Sequence, residues 1–213
     1  MNEQEQYNIG ILAYGSFIDN PGKEISELEI SRIKCETPFN VEFARKSSKR
    51  GNAPTLIPVQ EGGSKVNAVI IILKQDTKLE LAKSILWRRE IHKIDSNDKY
   101  IHIDNPGKNK VIVKTLNQFM NVKTVLFTSI QSNIEEKLTG ELLAELAINS
   151  ILGNAGDLKM DGLRYLLATK FNGIETALSS EYENQILLKT KSINLEKAIE
   201  KLDSYRITKT EFQ

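Results

Sequence analysis

The segment that decides the fold is Ile9-Gly10-Ile11-Leu12-Ala13-Tyr14-Gly15-Ser16-Phe17. It is a short apolar run that stops at a glycine, which is typical of a buried β-strand followed by a turn. Gly15 can adopt a positive φ, and the N–H groups of such a turn can point toward one carboxylate or oxyanion. An ordinary turn after a core strand explains the same residues. Alone, the segment therefore predicts a strand and no function.

The composition indicates a globular protein without a disulfide framework. The chain has 213 residues, 40% of them hydrophobic and 27% charged, which suits one domain or one domain with a helical appendage. The net charge of +1 gives no field that would attract nucleic acid or a membrane. The single cysteine, Cys35, and the polar start Met1–Gln6 predict a cytoplasmic location. The longest apolar run, Ala68–Leu73, is too short to span a membrane.

The chain divides into a strand-rich part, residues 1–133, and a helical part, residues 134–213. Strands are predicted in the first part at these segments: Phe39–Phe43, Pro54–Val59, Val66–Leu73, Tyr100–Ile103, Lys110–Leu116 and Lys123–Ile130. A helix from Lys78, capped by Asp76 or Thr77, carries an apolar stripe and ends near Glu90. After residue 133 the apolar residues repeat with helical spacing. An α+β fold with an all-helical C-terminal extension is therefore expected.

Six pieces of the chain occur in the order found in the gamma-glutamylcyclotransferase-like family, which includes the plant avirulence-induced proteins, and the sequence resembles that family over residues 8–130. The pieces are Tyr14-Gly15-Ser16, Phe43-Ala44-Arg45, Pro54-Thr55-Leu56, Gly62-Gly63, Val66–Leu73 and Leu86-Trp87-Arg88-Arg89-Glu90. Three positions differ from the family pattern: Trp87 replaces an aspartate, Ile91 replaces a glycine, and Phe17 stands where Asn or Leu is more common.

The resemblance implies a small, mixed, barrel-like β-sheet with packed helices. It also implies an enzyme, a cyclotransferase (transferase or lyase), that releases 5-oxoproline from a γ-glutamyl amine or peptide. Tyr14, Gly15, Ser16 and Phe17 would bind this small-molecule substrate, and Glu90 would be the general acid/base. No cofactor, metal, nucleic acid or membrane is expected. The helical part would be available for homo-oligomer formation.

One carboxylate is chemically sufficient for this reaction. The α-amine of the substrate must lose a proton before it attacks the γ-carbonyl, and the leaving nitrogen must gain one. A partly buried carboxylate can perform both transfers in turn. Closing a five-membered ring is intramolecular, so no enzyme nucleophile is required.

Other interpretations of these residues remain open. Glu90 can instead pair with Arg89, Arg88 or Lys93 at the helix end. In that case the protein is a non-catalytic module that binds a small ligand or a protein partner on the same fold. A third hypothesis is a nucleotide or nucleic-acid binder using the basic segment Arg45–Arg50, although no aromatic residues are interleaved there. Neither His92 nor His102 has companion metal ligands in the sequence.

Overall fold

A computed structural model describes residues 6–210, so Met1–Glu5 of the polar start lie outside the described residues. The described chain forms two compact units. One contains the residues up to Thr37 together with Asn67–Gln131, and the other contains Pro38–Val66 and the residues from Ser132 onward. The predicted division between residues 133 and 134 stays a prediction, because a compact unit is defined by contacts and not by independent folding.

The first unit is a five-stranded sheet with two α-helices. Its elements are β1 (Tyr7–Ala13), α1 (Lys23–Ser26), β2 (Glu29–Glu36), β5 (Asn67–Leu73), α2 (Leu79–Glu90), β6 (Ile112–Phe119) and β7 (Val122–Ser129). The strand order is β2-β5-β1-β7-β6. β1 runs antiparallel to β5 and parallel to β7, so the sheet is mixed.

The apolar segment at the start of the chain lies inside this sheet. Ile9, Ile11 and Ala13 alternate along β1 and pack in one core with Ile85 and Leu86 of α2. A Cβ on Gly10 would overlap with Ile70 of β5, so the glycine permits close packing of the two strands. These contacts fix the end of β1, and with it the Tyr-Gly-Ser turn, on the same core as α2.

In its described residues, the second unit combines a two-stranded antiparallel sheet with five α-helices. Its elements are β3 (Asn40–Ser47), β4 (Ala53–Val59), α3 (Gly140–Leu152), α4 (Asn154–Asp157), α5 (Gly162–Phe171), α6 (Ser179–Thr190) and α7 (Leu195–Thr210). α3 packs against the other four helices and against β4. Asp161 caps α5 by accepting a hydrogen bond from the Arg164 N–H at 3.0 Å.

The predicted mixed α+β class is confirmed, and the described residues after 133 contain helices and no strand. The predicted closure of the sheet into a barrel is not seen in the described chain. β3 and β4 pair with each other in a separate sheet, which leaves β2 and β6 as open edges. The predicted strand Tyr100–Ile103 is wrong, because this segment has no strand pairing.

Candidate functional site

The turn after β1 begins where the sequence predicts it. Tyr14 is still extended, and Gly15 has a φ of 62°, which opens a 3₁₀ turn over Gly15–Phe17. The N–H of Phe17 donates to the Tyr14 carbonyl at 3.3 Å, and the N–H of Ile18 donates to the Gly15 carbonyl at 3.2 Å. Two of the N–H groups that follow the strand are therefore used inside the turn itself.

Phe17 is a core residue that also touches the end of α2. Its side chain is only 7% exposed and belongs to the same core as β1 and α2. The guanidinium carbon of Arg89 lies 3.8 Å from the centre of the Phe17 ring, a cation–π contact. Phe17 thus provides an aromatic surface against which the Arg89 side chain is held.

Glu90 is the last residue of α2, and its carboxylate forms an ion pair with the neighbouring Arg89. The Glu90 and Arg89 side chains are 24% and 20% exposed, so the pair is partly shielded from water. A second guanidinium nitrogen of Arg89 donates to the Asn20 carbonyl at 2.8 Å. Arg89 therefore links Glu90 to Phe17 and Asn20, and the two predicted halves of the site lie in one unit. The alternative prediction that Glu90 pairs with Arg89 is confirmed.

Arg88 binds α1 and the segment that follows α2, whereas Glu90 pairs with Arg89. The Arg88 side chain is buried and pairs with Glu24 of α1, and it donates to the Asp98 carbonyl at 2.8 Å. A Cβ on Gly22 would lie 3.4 Å from the Arg89 Cγ and 3.5 Å from the Ile94 Cδ1. The end of α2 is thereby packed between the chain that follows the Tyr-Gly-Ser turn and the chain that follows the helix.

The other candidates from the sequence have ordinary structural partners. In the second unit, Lys46 pairs with Glu136 at 3.5 Å, and the Arg50 guanidinium lies 4.4 Å from the centre of the Tyr165 ring. Burial lowers the pKa of Arg45. In the first unit, His102 lies 3.2 Å from the Tyr100 hydroxyl. Among residues 6–210, no cluster of three or more His, Cys, Asp or Glu side chains is arranged to hold a metal ion.

Sequence reasoning missed Glu42, which lies on β3 in the second unit and is almost fully buried. One carboxylate oxygen accepts hydrogen bonds from the Thr176 hydroxyl at 2.6 Å and the Phe43 N–H at 2.9 Å. The other oxygen accepts from the Leu178 N–H at 3.1 Å. No local pattern predicts this contact, since Thr176 and Leu178 are distant in the sequence.

No protein-family model and no curated protein matches the chain. The resemblance to the gamma-glutamylcyclotransferase-like family therefore stays a prediction that depends on the six pieces of sequence. Within residues 6–210, no helix combines the length and the apolar character that crossing a membrane requires.

Proposed function

We propose that the protein is a gamma-glutamylcyclotransferase-like enzyme of the cytoplasm that releases 5-oxoproline from a γ-glutamyl amine or peptide. Glu90 is the general acid/base, and the loop Tyr14–Phe17 binds the substrate. The observation that carries the proposal is the Arg89 bridge, which joins the Glu90 carboxylate to Phe17 and to the Asn20 carbonyl. A partly shielded carboxylate is thus connected through Arg89 to the loop with which the resemblance pairs it.

In the proposed reaction, the substrate's α-ammonium group first transfers a proton to Glu90. The resulting amine nitrogen attacks the γ-carbonyl carbon, and a new C–N bond closes the five-membered ring. The bond from that carbon to the leaving nitrogen breaks as the leaving nitrogen takes up the second proton, which the ring nitrogen loses. Glu90 then returns the first proton to the released amine, which leaves as an ammonium ion. Protons and charge balance without an outside reagent. The protein's contribution is to orient the substrate and to move these protons.

Arg89 has a defined task in this scheme. A guanidinium binds a carboxylate through two parallel hydrogen bonds, and every γ-glutamyl substrate carries a free α-carboxylate. The substrate's α-carboxylate replaces Glu90 as the partner of Arg89. Glu90 is then released from its ion pair next to the α-amine, so substrate binding itself frees the base.

The test is 5-oxoproline release over a panel of γ-glutamyl amines and peptides. Glu90→Gln should abolish turnover and leave the urea midpoint unchanged, since the side chain is partly exposed and keeps its size. Glu80→Gln, in the first turn of the same helix, is the matched control and should keep full activity. Arg89→Gln should raise KM. Unchanged turnover in Glu90→Gln, or no release from any compound of the panel, would refute the proposal.

A second candidate function is a non-catalytic module that binds a small amino-acid-like ligand on the same fold. The Arg89–Glu90 ion pair favours it, because the Glu90 carboxylate already has a guanidinium partner. Calorimetric binding of a γ-glutamyl compound without 5-oxoproline release would identify this function. Turnover that depends on Glu90 would exclude it.

A further inference from the structure

A groove in the second unit is lined by apolar side chains and by lysines. It lies among α3, the C-terminal end of α6 and α7, with a volume of about 500 Å³. This volume is within the range of small-molecule sites, about 300–1,000 Å³. The groove belongs entirely to the second unit, whereas Glu90 and the Tyr14–Phe17 loop belong to the first.

The floor of the groove is apolar. Ile148 and Leu152 lie four residues apart on α3, and they therefore face the same side of that helix. Leu202 and Tyr205 line the groove from α7, and Tyr205 is 60% exposed. These side chains are shared between two helices, so they form a continuous apolar strip that a hydrocarbon chain can cover.

The rim carries three lysines, Lys189, Lys191 and Lys201, together with one acidic residue, Glu145. Lys189 is neutralised, because it lies 3.1 Å from both Glu141 and Glu145. Lys201 donates to the Thr190 carbonyl at 2.7 Å, at the end of α6. Within residues 6–210, neither Lys201 nor Lys191 has a carboxylate partner. Two ammonium groups without a counter-charge therefore lie next to the apolar floor.

Lys191 also has an unfavourable backbone conformation. It follows α6 with a φ of 51° and a ψ of 46°, a left-handed position where helices usually end with glycine. A lysine at this position is less stable than a glycine would be. The groove is therefore lined by a lysine at a position where the backbone conformation favours glycine.

We propose that this groove binds an amphiphilic anion, an unbranched hydrocarbon chain that carries one terminal carboxylate. The chain lies on Ile148, Leu152 and Leu202, and the carboxylate binds Lys191 and Lys201. An apolar floor that ends in ammonium groups without a carboxylate partner among residues 6–210 is complementary to such a molecule. A cationic or uncharged chain of the same length matches the floor but not the rim.

The test measures calorimetric binding of dodecanoate, dodecan-1-ol and dodecyltrimethylammonium to the full chain, each below its aggregation concentration. Dodecanoate should bind, and at least about 10-fold more tightly than the other two, the effect of one charge-assisted hydrogen bond. Lys191→Gly should weaken dodecanoate binding about 10-fold while keeping the fold, because glycine suits the left-handed position. Lys197 has an exposed side chain on α7 and provides the control. It is replaced by glutamine, because a glycine inside the helix would itself destabilise α7, and Lys197→Gln should leave dodecanoate affinity unchanged.

Ile148→Trp fills the groove and should abolish dodecanoate binding, with far-UV circular dichroism confirming that the helices remain. Equal affinity for dodecanoate and dodecyltrimethylammonium, or an unchanged affinity in Lys191→Gly, would overturn the proposal. Binding to anionic lipid vesicles without binding of free dodecanoate would identify a membrane surface instead. If Ile148→Trp changes the sedimentation mass and leaves dodecanoate affinity unchanged, the groove is an interface between copies of the chain, and the proposal is wrong.

Discussion

Replacing Glu42 by glutamine should destabilise the second unit. In the native protein three donors converge on this buried carboxylate: the Thr176 hydroxyl, the Phe43 N–H and the Leu178 N–H. A glutamine has one oxygen and one NH₂ group, so in either orientation its NH₂ faces a backbone N–H. At least one buried donor therefore loses its acceptor.

The loss of this one acceptor determines the expected decrease in the free energy of unfolding. One buried donor without a partner destabilises a protein by ~1–3 kcal/mol. With a urea m-value of ~2 kcal/mol/M, the midpoint of unfolding should fall by ~0.5–1.5 M. Far-UV circular dichroism is the appropriate signal, because α3 and α5–α7 contain most of the helical residues.

Glu61→Gln is the matched control, since Glu61 is exposed and lies in the same unit. It should change stability by less than ~0.5 kcal/mol. Thr176→Val removes the shortest of the three hydrogen bonds, and a double-mutant cycle with Glu42→Gln should give a coupling of ~0.5–3 kcal/mol. Equal midpoints for Glu42→Gln and Glu61→Gln, or a coupling near zero, would refute the reasoning.

Two further predictions concern the first unit. Gly10→Ala should lower the free energy of unfolding by ~1–3 kcal/mol, because the added methyl group overlaps with Ile70. Gly107→Ala is the control and should leave the urea midpoint almost unchanged, because its methyl group points into open space. Equal midpoints for the two variants would contradict the prediction. Burial raises the pKa of the Cys35 thiol to about 11, so its alkylation by iodoacetamide at pH 8 should be slower than that of free cysteine, with an inflection near pH 11. Because the folded thiol keeps a proton that the unfolded one loses above pH 9, this group's contribution to stability is intact below pH 9 and is lost as the pH rises to 11. A rate inflection near pH 9 would show that the thiol is unperturbed.

The fold could be predicted where the signal is local. The apolar runs of β1 and β5 are visible in a few consecutive residues. The segment Tyr100–Ile103 was wrongly predicted as a strand because its polar and apolar residues alternate. In the structure the Tyr100 N–H donates to the Ser84 hydroxyl, and the Tyr100 hydroxyl accepts a hydrogen bond from the Val113 N–H. These hydrogen bonds connect Tyr100 to α2 and β6, so its backbone N–H is not available for pairing with a neighbouring strand.

Glu42 shows that the alternation of polar and apolar residues along a strand does not always predict which side chains are buried. Alternation along Phe39–Phe43 places Glu42 on the polar side of a half-buried strand. Its side chain is nevertheless buried, because the segment before α6 supplies the donors that replace water. Whether a charged residue is buried depends on partners elsewhere in the chain, and a local pattern does not contain them.

Glu90 and the loop were predicted from a resemblance, and the Glu90–Arg89 pair was predicted as an alternative, but the contact of Arg89 with the loop was not predicted. The stack of Arg89 on Phe17 requires two segments that meet only in the folded protein. Phe17 is also the position where the sequence differs from the family pattern. One face of its ring contacts a guanidinium and the side chain belongs to the core, so little of it remains for a ligand.

We infer that Phe17 takes part in the proposed substrate-binding loop by positioning Arg89, which binds the substrate's carboxylate, and not by direct contact of its ring. An aliphatic or amide side chain at this position would fill space but offer no aromatic face, and the guanidinium would lose one of its three restraints: the ring, the Asn20 carbonyl and the Glu90 carboxylate. When a substrate carboxylate displaces Glu90, the ring and the Asn20 carbonyl still hold Arg89 in place. In the proposed enzyme the unusual aromatic residue is therefore what allows Arg89 to exchange one carboxylate for another without moving.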